Sequence, residues 1–266
     1  MHATGVGYDS FYALMSDSER QIAAHGISTL GLEAYLTGVT TKQWWVTTTY
    51  NWGGVCNGGA IVGALALLDD PTYGDTAAKV LGEARQNIEY SMQGYGPDGL
   101  WKEGCMYEDY QTRYIIAAVN ALETAQGSDG GLSNATGYDL TCESSIHCSA
   151  TATKLLFDWS DSHESVESHS NLFELGQRFN RPACPEFARI FSLATANSTT
   201  DADADADASS SKPLGTFVNK AARMLLYYSP LGSQADIDAL PLEKQYNYGV
   251  YVARRSWNYT DLAHSK

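Results

Sequence analysis

Basic residues are scarce in this chain. Its 266 residues include 17 Lys and Arg against 31 Asp and Glu, which gives a formal net charge of −14. Such a negative balance argues against a general nucleic-acid or anionic-membrane surface, and any anionic ligand would require a locally positive pocket. We therefore predict no nucleic-acid partner.

Long apolar runs are also missing. No stretch approaches the roughly 20 consecutive apolar residues of a membrane span. The opening segment MHATGVGYDSFYALMSDSER lacks the basic and apolar regions of a signal peptide. We predict no membrane span.

The cysteines lack the CxxC spacing of a metal site. The five are Cys56, Cys105, Cys142, Cys148 and Cys184. Their odd number leaves at least one thiol unpaired if the others form disulfides, and the short spacing of Cys142 and Cys148 predicts a disulfide between them.

Three sequons are present instead. Asn134, Asn197 and Asn258 each begin an Asn-x-Thr triplet, which is a glycan acceptor in a secretory pathway. This pattern favours an extracellular or secretory location.

Hydrophobic residues make up 44% of the chain and predict a packed core. Ser16 and Glu19 have capping-box spacing, which predicts a helix through about residue 37. Its candidate core positions recur at helical spacing: Ile22, Ile27, Leu30, Leu32 and Leu36.

A buried helix, an amphipathic helix and a second buried helix follow. The glycine-rich loop NWGGVCNGG leads into an apolar helix over about 57–69, and helices are predicted over about 75–93 and 107–126. The fold class is therefore all-α.

The remaining segments are more varied. Residues 128–172 lack periodicity and are predicted to be irregular, with His147, His163 and His169 as surface residues, before helices resume at SNLFELGQRF and CPEFARIFSLATA. The low-complexity stretch 197–213 predicts a disordered insertion. A short helix near 214–228 and a strand over YNYGVYVARRSW come last.

The two buried helices should be parallel neighbours, because one antiparallel helix separates them. Their N-termini, which favour anions, would then share one rim. The rim residues are Asn51, Trp52 and Asn57 from one segment and Lys102, Glu103, Tyr107, Tyr110, Arg113 and Tyr114 from the other.

Several of these side chains suit binding of a sugar acid. Amides and a basic residue can hold an anion, Trp52 and Trp101 can stack on a sugar face, and a tyrosine can transfer a proton. Structural roles remain open: Asn51 and Asn57 as N-caps, and Tyr110 with Tyr114 as packing residues.

Three ordered motifs resemble the heparinase II/III-like polysaccharide lyases, which include alginate lyases. They are NWGGVCNGGAIVGALALLDD, YGPDGLWKEGCMYEDYQTRYIIAAVNALE and YGVYVARRSWNYTD. The resemblance covers most of residues 8–260 outside the insertion. It implies an (α/α) toroid followed by a β-sandwich, and β-elimination across a uronic-acid glycosidic bond.

The resemblance also implies roles for residues. The tyrosine of the family's EGxxY segment falls on Tyr107, as general acid and base, and the amide that binds the carboxylate falls on Asn51 or Asn57. Substrate-binding roles then fall to Trp52, Trp101, Glu103, Tyr110 and Arg113. We predict no cofactor in this chain, since the family's further histidine and metal site belong to the β-sandwich.

The resulting domain prediction has three parts: an incomplete toroid over 1–196, the insertion over 197–213, and the start of a truncated β-sandwich over 214–266. The expected partner is an anionic polysaccharide. Two alternatives are a non-catalytic carbohydrate-binding remnant and a toroidal glycoside hydrolase, in which Glu103 would pair with Glu108 or Asp109.

Overall fold

The computed structural model describes residues 1–150, 155–163, 169–198, 223 and 225–257. The chain forms two compact units, one comprising Met1–Gly96 and Tyr110–Tyr138, the other Pro97–Asp109 and Asp139–Lys266. The predicted insertion at 197–213 lies outside the described residues, except for the end of one helix. Most of the predicted helix near 214–228 also lies outside them.

Helices dominate the described chain, as predicted. The first unit contains α1 (His2–Phe11), α2 (Asp17–Ile27), α3 (Glu33–Thr40), α4 (Asn51–Leu65) and α5 (Gly74–Met92). Helix α6 (Cys105–Gln126) starts in the second unit and continues in the first. The second unit adds α7 (Thr141–Cys148), α8 (Ser170–Arg178), α9 (Ala183–Ser198) and α10 (Gln234–Asp238). Across the described ranges, no helix combines the length and apolarity that crossing a membrane requires.

The strands form two small antiparallel pairs in the second unit. Strand β1 (Ser149–Ala150) pairs with β2 (Leu155–Leu156), and β3 (Glu243–Gln245) pairs with β4 (Tyr251–Ala253). The predicted strand over YNYGVYVARRSW is therefore too long. Tyr248 and Gly249 adopt positive φ values of 61° and 76°, which make a turn between β3 and β4.

Helix α2 begins at the predicted capping box, in which Ser16 and Glu19 exchange hydrogen bonds. Two of its predicted core positions are wrong, because Ile22 is 70% exposed and Leu30 is 84% exposed. Both border an open groove of about 470 Å³ between α1 and α2. Leu30 also lies in a π-helical turn over Ser28–Leu32, which breaks the 3.6-residue period on which the prediction depended.

Helix α4 is buried on nearly all sides, as its apolar sequence predicts. It begins at Asn51, so the predicted loop NWGGVCNGG is its first part and the predicted start near residue 57 is wrong. An added Cβ at Gly54 would lie 2.6 Å from the Gln111 side chain, and one at Gly58 would lie 2.7 Å from the Tyr114 carbonyl oxygen. The contacts advance along α4 and α6 in the same direction, so these helices are parallel neighbours, as predicted.

Helix α7 lies in the segment predicted to be irregular, and disulfides tie both its ends. Cys142 bonds to Cys184 and Cys148 bonds to Cys105, so the predicted disulfide between Cys142 and Cys148 is wrong. Six residues along a helix rise roughly 9 Å, which is beyond the span of a disulfide. Cys56 is the free cysteine that the odd number implied.

Two of the three histidines predicted at the surface are buried. His147 is 0% exposed because α7 turns it toward the C-terminal segment, where its ring packs edge-on against Tyr246 and Trp257. His169 is 4% exposed, and burial lowers its pKa to about 3. His163 is exposed, as predicted.

Candidate functional site

The first turn of α4 presents two of the predicted site residues in different ways. Tyr50 is the N-cap and Asn51 is the first helical residue, so neither Asn51 nor Asn57 is the N-cap. Asn51 is 3% exposed, whereas the next side chain, Trp52, is 51% exposed. Because helical N–H groups of a first turn carry partial positive charge, this end of α4 suits a carboxylate.

Asn57 lies deeper in α4 and is fully engaged in hydrogen bonds. Its Oδ1 accepts a hydrogen bond of 2.6 Å from the Tyr35 hydroxyl, and its Nδ2 donates to the Val46 carbonyl at 3.1 Å and the Gly53 carbonyl at 2.8 Å. Both amide hydrogens are therefore used within the first unit. Asn57 therefore has a structural role, and Asn51, at 3% exposure, is buried as well.

An aromatic platform lies beside the start of α4. Trp44 is 60% exposed and Trp52 is 51% exposed, and their ring centroids are 5.8 Å apart. The two ring planes are tilted by 56° to each other, and together they form a small exposed apolar patch that a ligand could contact. The platform consists of Trp44 and Trp52, of which only Trp52 was predicted. The adjacent tryptophans Trp44 and Trp45, a few positions before Trp52, could have indicated a second stacking residue in the sequence.

Trp101 is a core residue of the second unit, although it was predicted to stack on a sugar. It is 0% exposed and its Nε1 donates a hydrogen bond of 3.0 Å to Oε2 of Glu103. A fully buried indole cannot stack on a sugar. Glu103, predicted to bind substrate, therefore holds a core tryptophan.

The amino end of α6 is covered within the second unit. The Met106 N–H donates to the Ser162 hydroxyl at 3.2 Å, and Nε1 of Trp159 donates to the Lys102 carbonyl at 3.2 Å. Ser162 is buried and thus caps α6 from a distant part of the chain. Because the Met106 N–H already has an acceptor, the first turn of α6 is less suited to binding an anion.

The carboxylates that a glycoside hydrolase would use are buried in hydrogen bonds. Glu108 is 2% exposed and accepts a hydrogen bond of 2.5 Å from Ser145. Asp109 is 5% exposed and accepts one of 3.0 Å from Nδ2 of Asn171. Because both carboxyl groups are buried and hydrogen-bonded inside the protein, they do not form the solvent-facing pair that a glycoside hydrolase requires.

The tyrosines of α6 differ from one another. Tyr107 is half-buried. Burial, together with the hydrogen bond to Tyr114, raises the pKa of Tyr110 to about 12, although Arg113 opposes the shift. Tyr110 and Tyr114 also pack edge to face, with centroids 5.6 Å apart, as the packing alternative predicted. The O–H of Tyr110 is therefore engaged with Tyr114, and its phenol oxygen can still accept a hydrogen bond.

Neither a family model nor a curated protein matches this chain. The family resemblance therefore remains a hypothesis based on motifs.

The candidate residues divide between the two units. The first unit contains Asn51, Trp52, Asn57, Tyr110 and Arg113, with Trp44 added by the structure, and the second contains Trp101, Glu103 and Tyr107. Within the described part of the chain, no three His, Cys, Asp or Glu side chains are grouped as metal ligands.

Proposed function

We propose that this chain belongs to a polysaccharide lyase that cleaves uronate-containing polysaccharide by β-elimination on a partial (α/α) toroid of helical hairpins. The motif order and the parallel arrangement of α4 and α6 support this proposal. The two disulfides support an extracellular or secretory location, because such bonds persist in oxidising compartments.

The aromatic platform is the observation that carries the proposal. A pyranose ring has an apolar face of C–H groups, and an indole offers a large flat surface for it. Trp44 and Trp52 present two such surfaces next to the α4 amino end. A sugar stacked on Trp52 would carry its carboxylate toward the partial positive charge of that helix end.

Asn51 is the proposed carboxylate-binding residue. The C5 proton of a uronate is weakly acidic while the neighbouring carboxylate is fully charged, so hydrogen bonds to that carboxylate must come first. Asn51 is proposed because it lies in the first turn of α4, where the helical N–H groups carry partial positive charge, and because it directly precedes Trp52.

The elimination then requires two proton transfers, one from C5 to a base and one from an acid to the departing oxygen. By the resemblance, Tyr107 is the base that removes the C5 proton, the electron pair of that C–H bond forms the C4–C5 double bond, and the C4–O bond breaks. The proposed donor to the departing oxygen is the phenol of Tyr107. Tyr110, whose O–H is already hydrogen-bonded to Tyr114, is proposed to accept a hydrogen bond from a sugar hydroxyl through its phenol oxygen.

The same platform favours a second candidate, a protein that binds acidic polysaccharide without cleaving it. Stacking on Trp44 and Trp52 needs no proton transfer, so binding and cleavage are separable properties of the chain.

Titration of tryptophan fluorescence with alginate, heparan sulfate and glucuronan oligosaccharides tests binding, and absorbance of unsaturated uronate tests cleavage. Trp52→Ala and Trp44→Ala should each weaken binding about tenfold or more, since a lost stacking contact costs upwards of about 1.4 kcal/mol. Phe11→Ala, at another exposed aromatic residue, is the control and should leave binding unchanged.

Tyr107→Phe separates the two candidates. A lyase should lose product formation and keep binding, whereas a binding protein forms no product in either version. Failure of all three polysaccharides to bind the wild-type chain would contradict both.

A further inference from the structure

We propose that Asn134 carries an N-linked glycan. Its acceptor triplet Asn-Ala-Thr ends at Thr136, in the first unit between α6 and α7. This modification rests on the secretory location proposed above and does not depend on the polysaccharide chemistry.

The backbone places the acceptor in a surface turn. A short 3₁₀ helix over Leu132–Asn134 ends at Asn134, and Ala135 follows in an extended conformation with φ −60° and ψ 135°. Asn134 and Thr136 are both exposed. Asparagine glycans are bulky and require such a surface position.

Both reacting side chains are available. Among the described residues, the Asn134 amide and the Thr136 hydroxyl form no side-chain hydrogen bond, in contrast to the buried Asn57 amide. Thr136 borders an open depression of about 250 Å³, so space exists beside the acceptor. A transferase can reach this triplet without first breaking internal contacts.

The turn itself is held in place from its amino side. Asp129 accepts hydrogen bonds of 2.8 Å from the Gly131 N–H and of 2.8 Å from the Ser133 N–H. An attached glycan would therefore extend from a fixed point of the surface.

The disulfides indicate the compartment in which glycan transfer would occur. Two disulfides form in the described part of the chain, and the secretory pathway supplies both oxidising conditions and glycan transfer. The other acceptors differ from Asn134: Asn197 lies within α9, and Asn258 is outside the described residues.

The reaction needs a polyprenyl-diphosphate-linked oligosaccharide as donor. The bond between the first sugar's C1 and the diphosphate breaks, and a bond from C1 to Nδ2 of Asn134 forms. The lipid diphosphate leaves, and the amide loses one proton.

The experiment expresses the full chain behind a secretion leader in cultured eukaryotic cells and maps peptides from both the secreted and the retained pools. Glycan release by peptide-N-glycosidase in ¹⁸O-labelled water converts a modified asparagine to labelled aspartate. We expect label at Asn134 in the wild-type chain. The proposal is overturned if the Asn134 peptide is recovered unmodified from both pools. This holds even if Asn197 or Asn258 is labelled.

Variants at the hydroxyl position provide a matched comparison. Thr136→Ala should remove one glycan's mass while leaving Asn134 in place, and Thr136→Ser should retain it. Asn197→Gln combined with Asn258→Gln should keep the Asn134 glycan. Loss of no mass in Thr136→Ala contradicts the proposal, and the wild-type map decides the question even if a variant fails to fold.

Discussion

Replacement of Asn57 by alanine is the sharpest test of the α4 geometry. The side chain joins Tyr35 of α3, the Val46 carbonyl of the following loop and the Gly53 carbonyl through three hydrogen bonds. It is 0% exposed, so water cannot replace those bonds. Asn57→Ala should therefore destabilise the first unit.

The expected size follows from the three contacts. Each contributes a net of about 1 kcal/mol, and buried groups left without partners add to the cost, so the loss should be about 3–4 kcal/mol. With a urea slope of about 2 kcal/mol per molar, the unfolding midpoint should fall by about 1.5–2 M.

Urea unfolding followed by far-UV circular dichroism measures the loss, and Asn51→Ala is the matched control. Asn51→Ala should weaken polysaccharide binding at urea concentrations at which the variant is folded. The reasoning is refuted if Asn57→Ala unfolds at the wild-type urea concentration while polysaccharide binding is lost, because Asn57 would then be the ligand-binding amide.

Three further predictions concern packing, pH and covalent structure. Gly58→Ala should destabilise by about 1–3 kcal/mol because its Cβ would meet the α6 backbone, whereas Gly82→Ala, where an added Cβ meets nothing within 4 Å, should stabilise by up to about 1 kcal/mol in urea titrations. Since the pKa of His169 is about 3 when folded and about 6.5 when unfolded, its contribution to stability is complete above pH 6.5 and falls as pH decreases. That loss should be about 2 kcal/mol between pH 7 and pH 5, and His169→Phe should abolish it in urea titrations at several pH values. Non-reducing peptide maps should recover Cys142 joined to Cys184, and replacing both by alanine should cost about 4 kcal/mol in the same titrations.

Each of these has a contrary result. Equal effects of the two glycine variants would show that α4 and α6 do not touch at Gly58. An unchanged pH profile in His169→Phe would show that the imidazole is accessible to protons in the folded protein. A peptide joining Cys142 to Cys148 would contradict the structure of α7.

Periodic apolar sequence predicted the helices well where one face meets a core. Helix α5 illustrates this, since Leu81, Ala84, Ile88 and Met92 are all buried as their spacing predicts, although Ala78 is exposed. The parallel course of α4 and α6 also followed from helix order alone. Periodicity missed α7, whose short sequence is polar yet buried because disulfides and neighbouring helices enclose it.

The site was less predictable for a physical reason. Burial decides whether a tryptophan stacks on a ligand or fills a core, and the sequence does not distinguish Trp52 from Trp101. Likewise Asn57 offers the same amide as Asn51 in the sequence, and its structural role appears only with the Tyr35 hydroxyl and the two backbone carbonyls that it contacts in the fold.

The disulfide pattern around α7 affects how the chain responds to proteolysis. Because Cys105 bonds to Cys148 and Cys142 bonds to Cys184, the two covalent loops overlap. A single peptide-bond cut anywhere between residues 105 and 184 therefore leaves the two fragments joined by at least one disulfide. A chain nicked in this region would still migrate as one molecule until a reductant separates its pieces.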